Sequence, residues 1–365
     1  MTTQRTGPVS SHFAGDYQEA REKFIDAANL AGGDVRGYPH PMRGPDGEEL
    51  ALDLAWFGPD DATAAVIVAS ATHGVEGFCG SGCQVAALEA GLHHVLPGGA
   101  ALVMVHAHNP YGFAHIRRVT EGNIDLNRNF LDFSAPLPDN PGYAEVHAWL
   151  TPADWGGPEH AAADQAIDDY IAANGFPALQ TAVAEGQCGF PDGLFYCGSE
   201  PTWSRVTIET ICATVLSGLE RAVLLDLHTG LGPRGYGELI VSGSGGRDEL
   251  ERARAWFGGD VKGISESVST VTLDATVGDG YFRALSTHEV TAVTIEYGTV
   301  PVTDVMTALR AENWLHHHGD VQSAQGREIK AMLRDAFYGD DDPWRLAVCQ
   351  RAEQVIGQAI TGISD

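Results

Sequence analysis

Four stretches, "AAVIVASA" (64–71), "ALVMVHAH" (101–108), "RAVLLDLH" (221–228) and "VTAVTIEYG" (290–298), are apolar almost without interruption. A strand with one wet face alternates apolar and polar residues, so a run without alternation must be covered on both faces, as inner strands of an α/β sheet are. Helical patterns lie between the runs, at 81–92, 160–173, 202–218 and 247–257. This order predicts a single α/β domain over residues 1–365, with a mixed, mostly parallel central sheet flanked by helices. The apolar content, 44%, is ample for such a core. "ELALDLAWFG" (49–58) alternates and reads as a half-buried strand.

Residues 16–32 place Tyr17, Ala20, Phe24 and Ala27 or Ala28 on one helical stripe and stop at a glycine pair. The tail carries three further helical patterns, in "VMTALRAENWLHHHG", "GREIKAMLRDAF" and "DPWRLAVCQRAEQVIGQAI". Pro- and Gly-rich stretches at 134–142, 151–158 and 186–199 read as a surface insertion spanning 131–200, because the core pattern resumes beyond it. No basic start precedes an apolar segment, and no run reaches the roughly 18 apolar residues of a membrane helix, so a cytoplasmic protein is expected. A formal charge of −27, with lysine only at 23, 262 and 330, leaves no basic footprint for nucleic acid or an anionic membrane. The six cysteines have neither the density nor the spacing of a disulfide or zinc scaffold and read as buried free thiols. Nothing in the sequence sets an oligomeric state.

In open α/β sheets chemistry gathers at the carboxyl ends of strands. His73 and Glu76 follow the run 64–71, His228 closes 221–228, and Glu296 lies near the end of 290–298. Two imidazoles and one carboxylate form a three-ligand set that leaves a fourth position on zinc open, the pattern of a catalytic site. A further carboxylate held off the metal serves as proton acceptor. The bland alternative is a polar turn, since His-x-x-Glu recurs by chance in an acidic chain. Gly74 and Gly77 favour the metal reading by letting the backbone turn sharply. A second stretch, "NPYGFAHIRRVTEGNIDLNRNF" (109–130), is either a turn-rich loop or an anion cradle, with Arg117, Arg118 and Arg128 interleaved with asparagines.

Taken in order, "THGVEG", "NPYGF…RRVTEGNIDLNRNF", "LLDLHTG" and "TIEYGT" resemble the zinc metallocarboxypeptidase superfamily, which includes the carboxypeptidase A-like peptidases and the succinylglutamate desuccinylase and aspartoacylase deacylases. "FAGDYQEAREKF", "GVEGFCGSGCQ", "PTWS" and "ENWLHHHG" resemble a poorly characterised bacterial branch of it. The resemblance implies one Zn2+ on His73, Glu76 and His228, with Glu296 as general base and Arg118 polarising the scissile carbonyl. It implies further that Asn127 and Arg128 grip a substrate carboxylate and that Asp125 orients the first zinc histidine. Arg117 is the alternative to Arg118 if the motif slips by one residue, and Tyr281 in "GDGYFRAL" is the candidate for the tyrosine that closes over substrate in peptidase members.

The expected activity is therefore hydrolysis of an amide bond in a small peptide. The alternative is an N-acyl amino acid as substrate, because "TIEYGT" resembles the deacylase ending at least as much as the peptidase one. An open groove favours the peptide, and a lid built from 131–200 favours the small acyl group. A non-catalytic carboxylate-binding protein is the rival from another class, and cobalt or manganese fits the same ligand types. Consecutive histidines at 316–318 point about 100° apart on a helix and do not form a metal site. His106 and His108 read as core histidines near the crevice, and Asp226 as a carboxylate on the same side of its strand as His228.

Overall fold

The apolar runs lie side by side in the computed structural model, which describes residues 7–241, 245–266, 275–285 and 289–364. The strands are β1 (Asp34–Arg43), β2 (Glu49–Phe57), β3 (Ala64–Ala69), β4 (Ala100–His106), β5 (Arg221–Arg234), β6 (Gly237–Val241), β7 (Lys262–Gly263) and β8 (Glu289–Gly298). Their order across the sheet is β1-β2-β4-β3-β5-β8-β6-β7. The inner strands β4, β3, β5 and β8 are parallel, β2 and β1 add antiparallel on one side, and β6 adds antiparallel on the other. The helices are α1 (Tyr17–Leu30), α2 (Gly77–Glu89), α3 (Pro110–Ala114), α4 (Pro141–Leu150), α5 (Pro158–Asn174), α6 (Phe176–Ala184), α7 (Trp203–Thr214), α8 (Gly246–Phe257), α9 (Val277–Ala284), α10 (Val302–His318), α11 (Ala324–Phe337) and α12 (Asp342–Gly362). No helix among the described residues is long and apolar enough to cross a membrane.

Burial on both faces explains the runs. Val66 and Val68 of β3 point into one core cluster with α1, α2, α8 and α12, while Ala65, Ile67 and Ala69 point into the other with α7 and α9. Each valine or isoleucine among them stabilises the fold by about 1.5–3 kcal/mol when fully buried, so a polar residue on either face would be costly. α1 buries the stripe Tyr17, Ala20, Phe24 and Ala28, and its Asp16 cap accepts from the Glu19 amide.

The structure departs from expectation at several elements. α2 begins at Gly77, inside a glycine-rich stretch that disfavours helix by about 1 kcal/mol per residue. Close packing offsets that cost: a Cβ on Gly80 would lie 2.7 Å from Ser70, and one on Gly82 2.4 Å from the Phe13 ring. β1, β6 and β7 are strands that no run in the sequence predicts. β1, "DVRGYPHPMR", is an exposed edge strand with two prolines and carries no apolar run to announce it. The segment 131–200 contains α4, α5 and α6 and contributes no strand to the sheet.

The expectation of six free thiols fails at Cys188 and Cys197, which form a disulfide with Cα atoms 5.1 Å apart. Gln187 pairs with Tyr196 as an isolated bridge, and the Cys197 amide donates to the Gln187 carbonyl at 2.9 Å, which draws the two cysteines together. Cys79, Cys83, Cys212 and Cys349 are free and buried.

The chain leaves β3 for β4 in one direction and β5 for β8 in the other. The carboxyl ends of β3 and β5 therefore flank a topological switch point, where loops diverge and leave a crevice.

Candidate metal centre

Past β3 the chain bends through Ala71, whose φ of 54° lies in the left-handed region, and enters a short 3-10 turn over Gly74–Glu76. Such backbone costs about 1–3 kcal/mol in a non-glycine residue and persists only where its surroundings dictate it. Here the Gly74 amide donates to the Arg118 carbonyl at 3.0 Å and the Val75 amide to the Arg117 carbonyl at 2.8 Å, tying this turn to the arginine loop. The glycines act differently from expectation. Neither Gly74 nor Gly77 adopts a left-handed φ; a Cβ on Gly74 would lie 2.1 Å from the Gly112 backbone, and one on Gly77 2.4 Å from the Phe113 ring. They are needed for close approach, not for a sharp turn.

The turn delivers His73 and Glu76 to His228 on β5, and these three side chains are all buried and grouped as a metal ion requires. His73 Nδ1 is 2.9 Å from Glu76 Oε1, His228 Nδ1 is 3.1 Å from Glu76 Oε2, and the two Nδ1 atoms are 3.2 Å apart. Each imidazole has a carboxylate behind it: His228 Nε2 lies 2.8 Å from Asp226 and His73 Nε2 3.4 Å from Asp125. A carboxylate in hydrogen-bond reach, as Asp226 is, fixes the ring and its tautomer and leaves Nδ1 available to an ion. His73 Nε2 is 2.8 Å from Arg118 Nη2, which donates only, so in this geometry Nε2 accepts from Arg118 and Asp125 is its more distant neighbour. Burial works against the charged forms of Glu76, Asp125 and His228. Their neighbours outweigh it, holding Glu76 low beside His73 and His228, Asp125 well below the usual carboxylate range beside Arg118 and Arg128, and His228 well above the usual imidazole range beside Asp226.

Glu296 enters from the adjacent strand. The register pairs it directly with His228, and its Oε1 accepts from the Leu231 amide at 2.9 Å. Burial, then the Glu76 carboxylate, push the Glu296 carboxyl up to about 8.

His73, Glu76, His228 and Glu296 line one cavity together with Arg118, Asn127 and Arg128. Arg118 Nε donates to Asp125 at 3.0 Å, and both Arg118 and Arg128 lie over the Phe195 ring, at 5.0 and 5.3 Å from its centroid. Burial lowers Arg128 to about 10, which leaves it cationic at neutral pH. Asn127 Oδ1 accepts from the Val277 amide at 2.8 Å, so its NH2 is the group left for the cavity. Asp125 is wholly buried, and its side chain also accepts from the Asn127 amide.

Two expected site residues do not line this cavity. Arg117 turns into the protein, where its Nε donates to Glu312 at 2.7 Å and its Nη2 to Asn123 at 2.9 Å. Tyr281 is fully buried in α9, its hydroxyl 3.1 Å from His108 Nε2, because the helix packs that face onto the sheet. Sequence reasoning missed the Phe195 platform and the wall from α6, Gln180 and Ala184. Only a composition signal, the Gly-rich 186–199 stretch, lay nearby. His106 is a core histidine stacked on Phe24, whereas His108 contacts Thr72 behind the centre.

Residues 13–351 match a family model described as "Protein of unknown function (DUF2817)". No curated protein matches the chain. Among solved structures, the carboxypeptidase A from Helicoverpa armigera is 13% identical, covering 91% of this chain and 77% of that one, with a TM-score of 0.45. A metallo-carboxypeptidase from Burkholderia cenocepacia is 12% identical, covering 95% of this chain and 69% of that one, with a TM-score of 0.42.

Proposed function

We propose that this chain, which belongs to the DUF2817 family, is a zinc-dependent hydrolase that cleaves an amide bond of a carboxylate-bearing substrate, in the manner of a carboxypeptidase. The observation that carries this reading is the convergence of two imidazole Nδ1 atoms and the Glu76 carboxylate within 3.2 Å of one another's nearest atoms, out of water. Lone pairs packed so closely repel unless a cation or proton lies among them, and this donor set suits zinc. Bound there, zinc supplies Lewis acidity that lowers the pKa of a water toward about 7 and polarises a carbonyl.

The remaining chemistry falls to the protein's own groups. Glu296 takes the proton of the attacking water and returns it to the leaving amine. Arg118, held by Asp125, stabilises the negative charge that develops on the carbonyl oxygen. Asn127 and Arg128 hold the substrate carboxylate and so fix the scissile bond over the centre. Glu296→Gln is expected to keep stoichiometric zinc, read by metal analysis, and to lose about 100-fold or more in kcat. Full turnover in that variant would sink the assignment.

An N-acyl amino acid is the second reading of the substrate, favoured by the wall that Gln180, Ala184 and Phe195 of the 131–200 segment add to the cavity. A hydrolysis screen of zinc-loaded protein against C-terminal dipeptides and N-acyl amino acids, with Glu296→Gln as blank, separates the two. Carboxylate binding with no turnover in either series would mark a binding protein instead.

A further inference from the structure

Behind His228 and its Asp226 carboxylate runs a line of buried polar groups, Thr72, His108 and Tyr281, to which the proposed chemistry gives no part. His228 Nε2 meets Asp226 Oδ2 at 2.8 Å, and Asp226 accepts from the Thr72 hydroxyl at 2.9 Å. Thr72 Oγ1 lies 2.9 Å from His108 Nδ1, and His108 Nε2 lies 3.1 Å from the Tyr281 hydroxyl. Thr72, His108 and Tyr281 are wholly buried, and Asp226 is 4% exposed. The line joins the loop after β3, the loop after β4, β5 and α9.

Its polarity follows from counting hydrogens. Both Asp226 oxygens lie 2.9 Å from Thr72 Oγ1, so the single Thr72 hydrogen goes to the carboxylate. Thr72 Oγ1 must then accept from His108, which puts the imidazole hydrogen of His108 on Nδ1. Burial pushes His108 down to about 4, so at neutral pH it carries that one hydrogen and no second. Its bare Nε2 accepts from Tyr281. At the far end His228 Nε2 carries its hydrogen toward Asp226, and with an ion held at the centre Nδ1 would keep its lone pair for that ion. Every hydrogen in the line is used once, and one direction satisfies all five groups.

We propose that Tyr281, through His108, Thr72 and Asp226, is a positioning residue for the metal centre, holding His228 in the tautomer and orientation that offer Nδ1 to the ion. The proposal rests on the reading of His73, Glu76 and His228 as metal ligands. Tyr281→Phe deletes the terminal donor and leaves His108 Nε2 a buried acceptor with nothing to accept, which frees His108 to turn over and release Thr72. Thr72→Val cuts the line next to Asp226, while Thr72→Ser keeps the hydroxyl.

The test measures Zn2+ affinity by competition with a chromophoric chelator, in the full chain and each variant. The expected result is one zinc per wild-type chain, an affinity weakened about 10-fold in Tyr281→Phe and about 10- to 100-fold in Thr72→Val, and near-wild-type affinity in Thr72→Ser. Lower thermal stability in Tyr281→Phe and Thr72→Val with unchanged zinc affinity would overturn the proposal and leave the zinc reading intact. No zinc on the wild-type chain would overturn that reading as well. A second measurement needs no variant: histidine 15N NMR of the zinc-loaded protein is expected to show His108 protonated on Nδ1, and protonation on Nε2 would refute the line's direction.

Discussion

Gly74 marks how tightly the centre is built. A methyl group there meets the Gly112 backbone at 2.1 Å, which no rotamer change relieves, so Gly74→Ala is expected to destabilise the fold by about 1–3 kcal/mol and to lower zinc content. Urea unfolding reads the first effect and metal analysis the second. Gly98→Ala, where nothing lies within 4 Å, is the control and should change neither. Single residues were legible in the sequence when a strand end announced them, as for His73, His228 and Glu296. The choice between Arg117 and Arg118 was not legible, because neighbours in a loop face opposite ways. What turns Arg117 inward is Glu312, 195 residues further on. The orientation of Tyr281 is not legible for a related reason: its flanks disclose a helix but not which face of α9 meets the sheet.

Among the elements, α10 and α11 are clamped to the arginine loop by one buried carboxylate. Glu312 of α10 receives Arg117 from the loop and Lys330 of α11, each at 2.7 Å. Burial alone would raise its pKa, but the two cations outweigh burial and hold it at about 2. A carboxyl lowered on folding contributes stability that is complete above its unfolded pKa, near 4.5, and is lost as pH falls from there toward 2. The contribution is at most about 3 kcal/mol. Unfolding free energies at pH 6 and pH 3 should therefore converge more in Glu312→Gln than in wild type, since the variant lacks the titrating group. An equal pH dependence in both would rule the clamp out as the source. The elements themselves were readable where burial was two-sided, as in β3, β4, β5 and β8, or striped, as in α1. They were unreadable where pairing alone defines the strand, as in β1.

For the molecule as a whole, Arg118 and Arg128 sit inside a chain whose formal charge is −27. A carboxylate substrate is repelled at long range and attracted only near the arginines, and salt screens the long-range part first, the Debye length being about 10 Å at 0.1 M. For an anionic substrate kcat/KM is expected to rise a few-fold from about 0.01 to about 0.2 M salt with kcat unchanged, while a neutral amide analogue shows no such rise. A fall for the anionic substrate would mean that the local arginines dominate its approach. The fold class was readable from four runs, whereas the adjacency of β3, β5 and β8, on which the centre depends, is a property of long-range pairing that no local pattern encodes. That adjacency also has a meaning in time. His73 and His228 are separated by 155 residues and Glu296 comes later still, so a chain growing from the ribosome carries His73 and Glu76 long before their partners exist. The trio comes into being when β5 docks on β3, and on the zinc reading proposed above uptake of the ion becomes a clock for that late event of assembly.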